Sequence, residues 1–121
     1  MKRKYINSMQ KTNNFYKLIE DTVIDNMDYR EIFDNTVQFV YGKPLEEYSE
    51  KSINAIMVNE IRHNYSNYES MLKKVYKLNR TNHDYIQYKN SVLDKISIMY
   101  PFLKSECDRQ KYKLNMVKII T

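Results

Sequence analysis

The stretch Asn59–Leu72, NEIRHNYSNYESML, marks the joint between two predicted helices. Apolar residues before and at the start of this stretch recur at helical spacing, which predicts a helix over residues 46–63. These residues are Ile53, Ile56, Met57 and Ile61. Ser66 and Glu69 then form the S-x-x-E pattern of a capping box, in which each side chain bonds a backbone N–H at a helix N-terminus. The stretch therefore predicts a helix, a tight turn and a second helix, which favours an all-α fold.

The composition supports the same fold class. The chain of 121 residues contains one glycine, Gly42, and two prolines, Pro44 and Pro101. Because tight hairpin turns usually need glycine at a positive φ, a sheet protein of this length is disfavoured. We predict a single compact bundle of five to six helices with short polar turns. It forms one domain over residues 1–121, with a flexible tail at residues 1–11.

Apolar periodicity and helix-end signals divide the rest of the chain. The other predicted helices are residues 13–27, residues 29–41, a helix opened by Ser66, residues 83–99 and residues 102–114. The buried face of the first contains Phe15, Ile19, Val23 and Met27, and that of the fifth contains Ile86, Val92, Leu93, Ile96 and Met99. Gly42 and Pro44 end the second helix. Thr81 and Asp84 repeat the helix-start signal, and Pro101 separates the fifth helix from the sixth.

Glu60 and His63 stand three residues apart, as ligands of a carboxylate metal site on a helix do. Such a site needs a second Glu-x-x-His pair, but Arg80 stands three residues before His83. Cys107 is the only cysteine, which excludes a cysteine-based zinc site, and one glycine is too few for a phosphate-binding glycine motif. We predict no enzyme activity, no metal site and no cofactor. The helix dipole explains a histidine near a helix C-terminus without ligands.

Charge is distributed unevenly along the chain. Residues 1–60 contain eight Lys/Arg and ten Asp/Glu, a charge of −2, whereas residues 61–121 contain twelve and five, a charge of +7. The domain thus has an acidic half, residues 12–60, and a basic half, residues 61–121. A basic half is typical of proteins that contact an anionic partner, and nucleic acid is the commonest such partner.

The cations after the joint recur at helical spacing on the side opposite Leu72 and Val75. Helix, tight turn and basic helix over residues 51–79 match the order of helix-turn-helix proteins, whose second helix enters the major groove of DNA. We predict that eight residues contact nucleic acid: Arg62, Asn67, Ser70, Lys73, Lys74, Lys77, Arg80 and Lys89. Further cations are expected to add backbone contacts: Lys95, Lys104, Arg109, Lys111 and Lys113. The choice between DNA and RNA stays open.

Simpler interpretations of the same patterns stay open. A basic helix face is commonly just a solvated surface, and abundant Lys, Asn, Ile and Tyr are expected from an AT-rich coding genome. The twelve tyrosines, with no tryptophan, suit two roles. They can stack on unpaired bases, or they can line the rim of the core with the ring buried and the hydroxyl in water.

The stretch IRHNYSNYESML resembles a signature of small, uncharacterised bacterial domains, I-R-H-x-x-[ST]-x-Y-[DE]-x-[LM]-L. The matching residues are Ile61, Arg62, His63, Ser66, Tyr68, Glu69, Met71 and Leu72. No activity is assigned to that family, so the resemblance implies only a recurring structural joint. The small size and skewed composition also resemble accessory proteins of phages and mobile elements.

A different class of function stays open as well. The protein could inhibit or modulate a host or defence protein such as a nucleoprotein enzyme, with the acidic half in a cationic groove of that partner. Homodimerisation through the apolar stripes is compatible with either function. No apolar run approaches the ~20 residues of a membrane-spanning helix, and the N-terminus has no apolar stretch after its basic start. We therefore predict no membrane contact and a cytoplasmic location.

Overall fold

The computed structural model describes residues 13–38, 47–78 and 81–120, and over these ranges the chain is an all-α bundle. The helices are α1 (13–21), α2 (Tyr29–Gln38), α3 (Glu50–Asn64), α4 (Tyr68–Lys77), α5 (Asn82–Met99) and α6 (Lys104–Ile120). A 3-10 turn, Pro101–Leu103, precedes α6. The predicted fold class is confirmed.

The predicted joint lies between α3 and α4. α3 ends at Asn64 and α4 begins at Tyr68, so three residues, 65–67, link the two helices. The N-cap of α3 is Ser49, whose Oγ accepts a hydrogen bond from the backbone N of Ser52 at 3.1 Å. α3 therefore begins four residues later than predicted. The order helix, turn, helix is present, and its use for reading DNA stays a prediction.

All six helices contribute to one buried core. Its fully buried side chains include Phe15, Ile32, Met57, Ile61, Leu93, Ile96 and Leu103. α5 has its most extensive contact with α6 and also packs against α3 and α4. Burial of one large aliphatic side chain contributes about 1.5–3 kcal/mol relative to its exposure. The core thus fixes the joint between α3 and α4 against α5.

The first helix is shorter than predicted. α1 ends at residue 21, whereas the apolar spacing predicted a helix through Met27. The prediction was wrong because residues 22–28, here called the crossing segment, bond to the joint instead of continuing the helix. Val23 is consequently 57% exposed, although the predicted helix would bury it, while Ile24 is buried.

Hydrogen bonds attach the crossing segment to the joint, where Ile24 and Ser66 form an isolated β-bridge. The backbone N of Asp25 donates to the carbonyl of Tyr65 at 2.7 Å. Asn67 holds the same segment with its side chain, since its Oδ1 accepts from the backbone N of Val23 at 2.8 Å. These bonds satisfy backbone groups that no regular helix would pair.

Lys95 of α5 closes the C-terminal end of α1. Its ammonium group donates to the carbonyl oxygen of Thr22 at 2.6 Å, to that of Glu20 at 3.4 Å, and to that of Ile19. The last carbonyls of a helix have no partner inside the helix, and a cation there is also favoured by the helix dipole. Lys95 was predicted to contact a nucleic-acid backbone, but its ammonium is occupied within the fold.

Tyr88 of α5 and Tyr100, the C-cap residue of α5, hold the crossing segment from the other side. The hydroxyl of Tyr88 shares a hydrogen bond with Oγ1 of Thr22 at 2.8 Å. The hydroxyl of Tyr100 accepts from the backbone N of Met27 at 2.8 Å and donates to the carbonyl of Asp25 at 2.8 Å. Both rings are buried. For these two tyrosines, the predicted burial of the ring is confirmed, but the prediction of a hydroxyl in water was wrong, because each hydroxyl bonds a group of the crossing segment.

The last two helices follow the predicted breaks with two differences. Thr81 is the N-cap of α5, and its Oγ1 accepts from the backbone N of Asp84 at 3.2 Å, as the start signal predicted. Met99 was predicted to be buried but is 38% exposed at the end of α5. The sixth helix was predicted over residues 102–114 but occupies Lys104–Ile120. It starts late because Pro101 opens the 3-10 turn instead.

Other predicted features lie outside the described residues. They are the tail at residues 1–11, the end of the second helix with Gly42 and Pro44, and the predicted contact residue Arg80.

Candidate nucleic-acid interface

The capping box predicted at Ser66 and Glu69 does not form. Asn67 is the N-cap residue of α4, and its side chain makes no capping hydrogen bond. The Oγ of Ser66 accepts instead from the backbone N of Tyr68 at 3.1 Å. Glu69 turns back to α3, where its Oε1 lies 2.7 Å from Nδ1 of His63. The Glu69 carboxylate is therefore paired with a side chain of α3 and not with the backbone at the start of α4.

Glu60 and His63 do not share a site. Glu60 accepts a hydrogen bond from Nδ2 of Asn64 at 2.8 Å, whereas His63 faces Glu69. Among the described residues, no group of three or more His, Cys, Asp and Glu side chains could hold a metal ion. Cys107 is buried in α6, and burial raises the pKa of its thiol to about 12. Very little of the thiol is ionised at neutral pH, so its nucleophilicity is low.

Asn67 is occupied within the fold. Besides accepting from Val23, its side chain donates from Nδ2 to the carbonyl of Asp21 at 2.9 Å. Both ends of the amide therefore bond the region where α1 ends. The sequence placed Asn67 among the residues that contact nucleic acid. Its observed bonds instead join the start of α4 to the end of α1 and the crossing segment.

The outward face of α4, here called the basic face, consists of Ser70, Lys73, Lys74 and Lys77. All four residues are exposed, and the opposite side of the helix buries Tyr68 and Val75. None of the three lysines forms an ion pair with any described residue. The predicted amphipathic placement of these lysines is confirmed, and their contact with nucleic acid stays a prediction.

The carboxylates of the basic half form no ion pair with the lysines of the basic face. The five acidic residues of this half all lie in the described ranges, and at least four of them have basic partners. The pairs are Glu69–His63, Asp94–Lys111, Glu106–Arg109 and Asp108–Lys104. The fifth, Asp84, lies in the first turn of α5 beside its cap. Three of the further cations proposed from the sequence are thus neutralised by carboxylates, while the lysines of the basic face are not.

Arg62 and Lys89 lie in a cluster with three tyrosines where α3, α4 and α5 meet. The guanidinium carbon of Arg62 is 5.5 Å from the ring centroid of Tyr68, and Nζ of Lys89 is 4.5 Å from that of Tyr85. Both distances are typical of cation–π contacts. Tyr85 also stacks on Tyr76 of α4, with ring centroids 5.0 Å apart. These five residues are here called the cation–tyrosine cluster.

Electrostatic shifts indicate that the two cations of the cluster act on each other. Burial lowers the pKa of Lys89, and the positive charge of Arg62 lowers it further. Burial raises the pKa of Tyr68, while the charge of Arg62 opposes this rise. The guanidinium of Arg62 has a neutral partner, since its Nη2 donates to Oδ1 of Asn59 at 2.8 Å.

The structure thus separates the seven predicted site residues that it describes, all except Arg80, into three groups. The basic face contains four of them, the cation–tyrosine cluster contains Arg62 and Lys89, and Asn67 is turned inward. Sequence reasoning missed that Tyr76 and Tyr85 join the cluster. Tyr85 and Lys89 stand four residues apart on α5, and this i, i+4 spacing was the signal that could have predicted their contact.

Comparison of the chain with models of protein families, with curated proteins and with solved structures gives no match. The resemblance of the joint to small bacterial domains therefore stays a prediction. Within the described ranges, no helix is both long and apolar enough to span a bilayer.

Proposed function

We propose that this protein binds nucleic acid through the basic face of α4 and catalyses no reaction on it. The observation that supports this best is the presence of three exposed lysines without ion pairs, Lys73, Lys74 and Lys77, in the described part of the chain. Three cations of α6, by contrast, have carboxylate partners: Lys104, Arg109 and Lys111. Unpaired surface lysines are the cations that release counterions from a phosphate backbone at least cost.

The chemistry of this face favours contact with the backbone over reading of sequence. Lysine ammonium groups act as point charges, and phosphate contacts position a protein without specifying bases. Tyr76 lies between Lys73 and Lys77 in sequence and is 60% exposed. One side of its ring stacks on Tyr85, and we propose that the exposed part stacks on an unpaired base, which is a sequence-tolerant contact.

The test measures binding of a labelled single-stranded oligonucleotide and a labelled duplex at low ionic strength. Fluorescence anisotropy reports the bound fraction. Replacement of all three lysines by alanine (Lys73→Ala, Lys74→Ala, Lys77→Ala) is expected to weaken binding at least about tenfold, because three phosphate contacts are lost. The variant should keep its helical circular dichroism, because all three side chains are exposed.

A matched control removes three exposed cations from other helices: Lys17→Ala, Arg30→Ala and Lys51→Ala. This variant has the same net charge as the first, so it isolates the position of the charges from their number. Its affinity should stay within about threefold of that of the unmodified protein, because distant surface charges are screened. Equal losses in the two variants, or no binding by the unmodified protein, would contradict the proposal.

A second candidate function is binding and modulation of a host or defence protein. One observation favours it. Val23, Ile98 and Met99 are 57%, 79% and 38% exposed, and they line a largely apolar hollow of about 330 Å³ together with Thr22 and Lys95. Contiguous exposed apolar side chains are more typical of protein contacts than of nucleic-acid contacts.

Affinity capture from a host lysate, with and without nuclease, separates the two functions. Partners that disappear after nuclease treatment support nucleic-acid binding. A single partner that survives nuclease and is lost from an Ile98→Asp variant, but is kept by the triple variant of the basic face, supports the second function.

A further inference from the structure

In the cation–tyrosine cluster the positive charge of Arg62 acts on Lys89, and neither cation forms an ion pair with a described carboxylate. The acidic residues nearest to Arg62 in the chain are Glu60 and Glu69, and each bonds another residue. The charges that act on Lys89 come from Arg62 and Tyr76. Like charges in a partly buried site destabilise the fold unless an anion lies between them.

Arg62 also has an unused donor. Its Nε is buried and has no hydrogen-bond acceptor among the described residues, although its Nη2 donates to Asn59. Buried N–H groups are nearly always paired, so an unpaired one calls for an explanation. The Nε–H and one Nη–H of arginine form the edge that matches two oxygens of a phosphate.

We infer that the cation–tyrosine cluster is a subsite for one phosphoryl group, bound between the guanidinium of Arg62 and the ammonium of Lys89. A phosphoryl group carries more negative charge than a carboxylate and offers three acceptor oxygens, so it satisfies two cations at once. Tyr68 and Tyr85 hold these cations in place through cation–π contacts. Lys89 keeps its charge when the anion binds, because the anion favours the protonated amine.

The position of the cluster relates it to the basic face. Tyr76, which stacks on Tyr85, precedes Lys77 directly on α4. A phosphate in the cluster would therefore be continuous with phosphates along α4. Assignment of the bound phosphate to a nucleic-acid backbone rests on the proposed function, whereas the anion subsite itself does not.

The first experiment titrates the full-length protein with pyrophosphate, at ionic strength held constant with chloride. The ¹H–¹⁵N resonance of Arg62 Nε is expected to shift in a saturable way, because this N–H gains an acceptor. In Lys89→Gln the dissociation constant should rise at least about tenfold, as expected for a lost charge-assisted hydrogen bond. Lys89→Arg keeps the charge and should therefore lose less pyrophosphate affinity than Lys89→Gln.

No saturable shift of Arg62 Nε, or equal pyrophosphate affinity in Lys89→Gln, would overturn the subsite. Circular dichroism and thermal unfolding of each variant establish that it remains folded. Arg62→Gln serves as a second variant, and it too should lose pyrophosphate binding while its helical content is unchanged.

A second experiment distinguishes the source of the phosphate. A short oligothymidylate is expected to displace pyrophosphate, because its backbone occupies the same subsite. If pyrophosphate binds but is not displaced, the subsite serves a free phosphate compound and the assignment to the backbone is overturned. If the oligonucleotide binds through the basic face while pyrophosphate does not bind, the subsite fails and the proposed function stands.

Discussion

At the scale of the residue, Lys95 is a cation that was predicted to contact nucleic acid but stabilises the end of a helix instead. Its ammonium donates to carbonyls at the end of α1, and two of these belong to Glu20 and Thr22. Lys95→Met keeps the aliphatic stem but removes these bonds, so the free energy of unfolding should fall by about 1–3 kcal/mol. Urea denaturation measures this change.

Lys113→Met is the matched control for Lys95, since Lys113 is exposed on α6 and forms no ion pair with a described residue. Its stability should change by no more than about 0.5 kcal/mol. An equal loss in both variants would show that the bonds of Lys95 contribute nothing specific to the end of α1.

Cys107 makes stability depend on alkaline pH. Burial raises the pKa of its thiol from an ordinary 9.0 to about 12, so the folded state holds this proton more tightly than the unfolded state. The resulting stabilisation is complete below pH 9.0 and is lost as the pH rises towards the folded value. Urea unfolding at about pH 8 and about pH 10.5 should therefore show a smaller pH-dependent loss in Cys107→Ala than in the unmodified protein.

The tyrosines whose pKa values burial also raises, such as Tyr88 and Tyr100, are present in both proteins and cancel in this comparison. Identical pH dependence in the two proteins would mean that the thiol of Cys107 is not protected in the folded state.

At the scale of the element, the sequence predicted a helix end correctly where a local capping residue and the apolar periodicity indicate the same position. α5 begins at Asn82, one residue from the predicted start, because the cap at Thr81 is local. The end of α1 could not be predicted in the same way. Its apolar period continues to Met27, but the crossing segment bonds to residues 44 and 73 positions later, at Asn67 and Tyr100. Local patterns do not encode such bonds.

Asn67, the N-cap residue of α4, bonds the end of α1 and the crossing segment with its side chain. Asn67→Ala removes the bonds to Val23 and Asp21, so the free energy of unfolding should fall by about 1–2 kcal/mol. The affinity of the folded variant for nucleic acid should be unchanged, because one end of the amide bonds the crossing segment and the other bonds the end of α1. Denaturation and anisotropy measurements on the same preparation test both statements.

Ser70→Ala provides the control on α4, since Ser70 is exposed and forms no hydrogen bond with a described residue. It should change stability by no more than about 0.5 kcal/mol. If Asn67→Ala instead weakens nucleic-acid binding at unchanged stability, the role predicted from the sequence would replace the structural one.

At the scale of the whole molecule, the sequence predicted a basic half but not which of its charges are unpaired. The sum of +7 counts Arg109 and Lys111 equally with Lys73. The fold then pairs Arg109 with Glu106 on the same helix and Lys111 with Asp94 of α5. The α4 lysines were predicted because they share a helix face. The contact of Lys89 with Tyr85 follows from their i, i+4 spacing on α5, whereas the effect of the Arg62 charge on Lys89 depends on how α3 packs against α5.

This distinction gives a prediction about salt. Each phosphate contact contributes about 0.7–0.9 to the slope of log affinity against log salt concentration. If the unpaired lysines of α4 make these contacts, removal of Lys73, Lys74 and Lys77 should reduce the slope by about 2–3. The control variant at Lys17, Arg30 and Lys51 should keep the slope of the unmodified protein, although its net charge equals that of the triple variant of the basic face. A slope that falls equally in both variants would assign binding to the overall charge of the chain and not to the basic face.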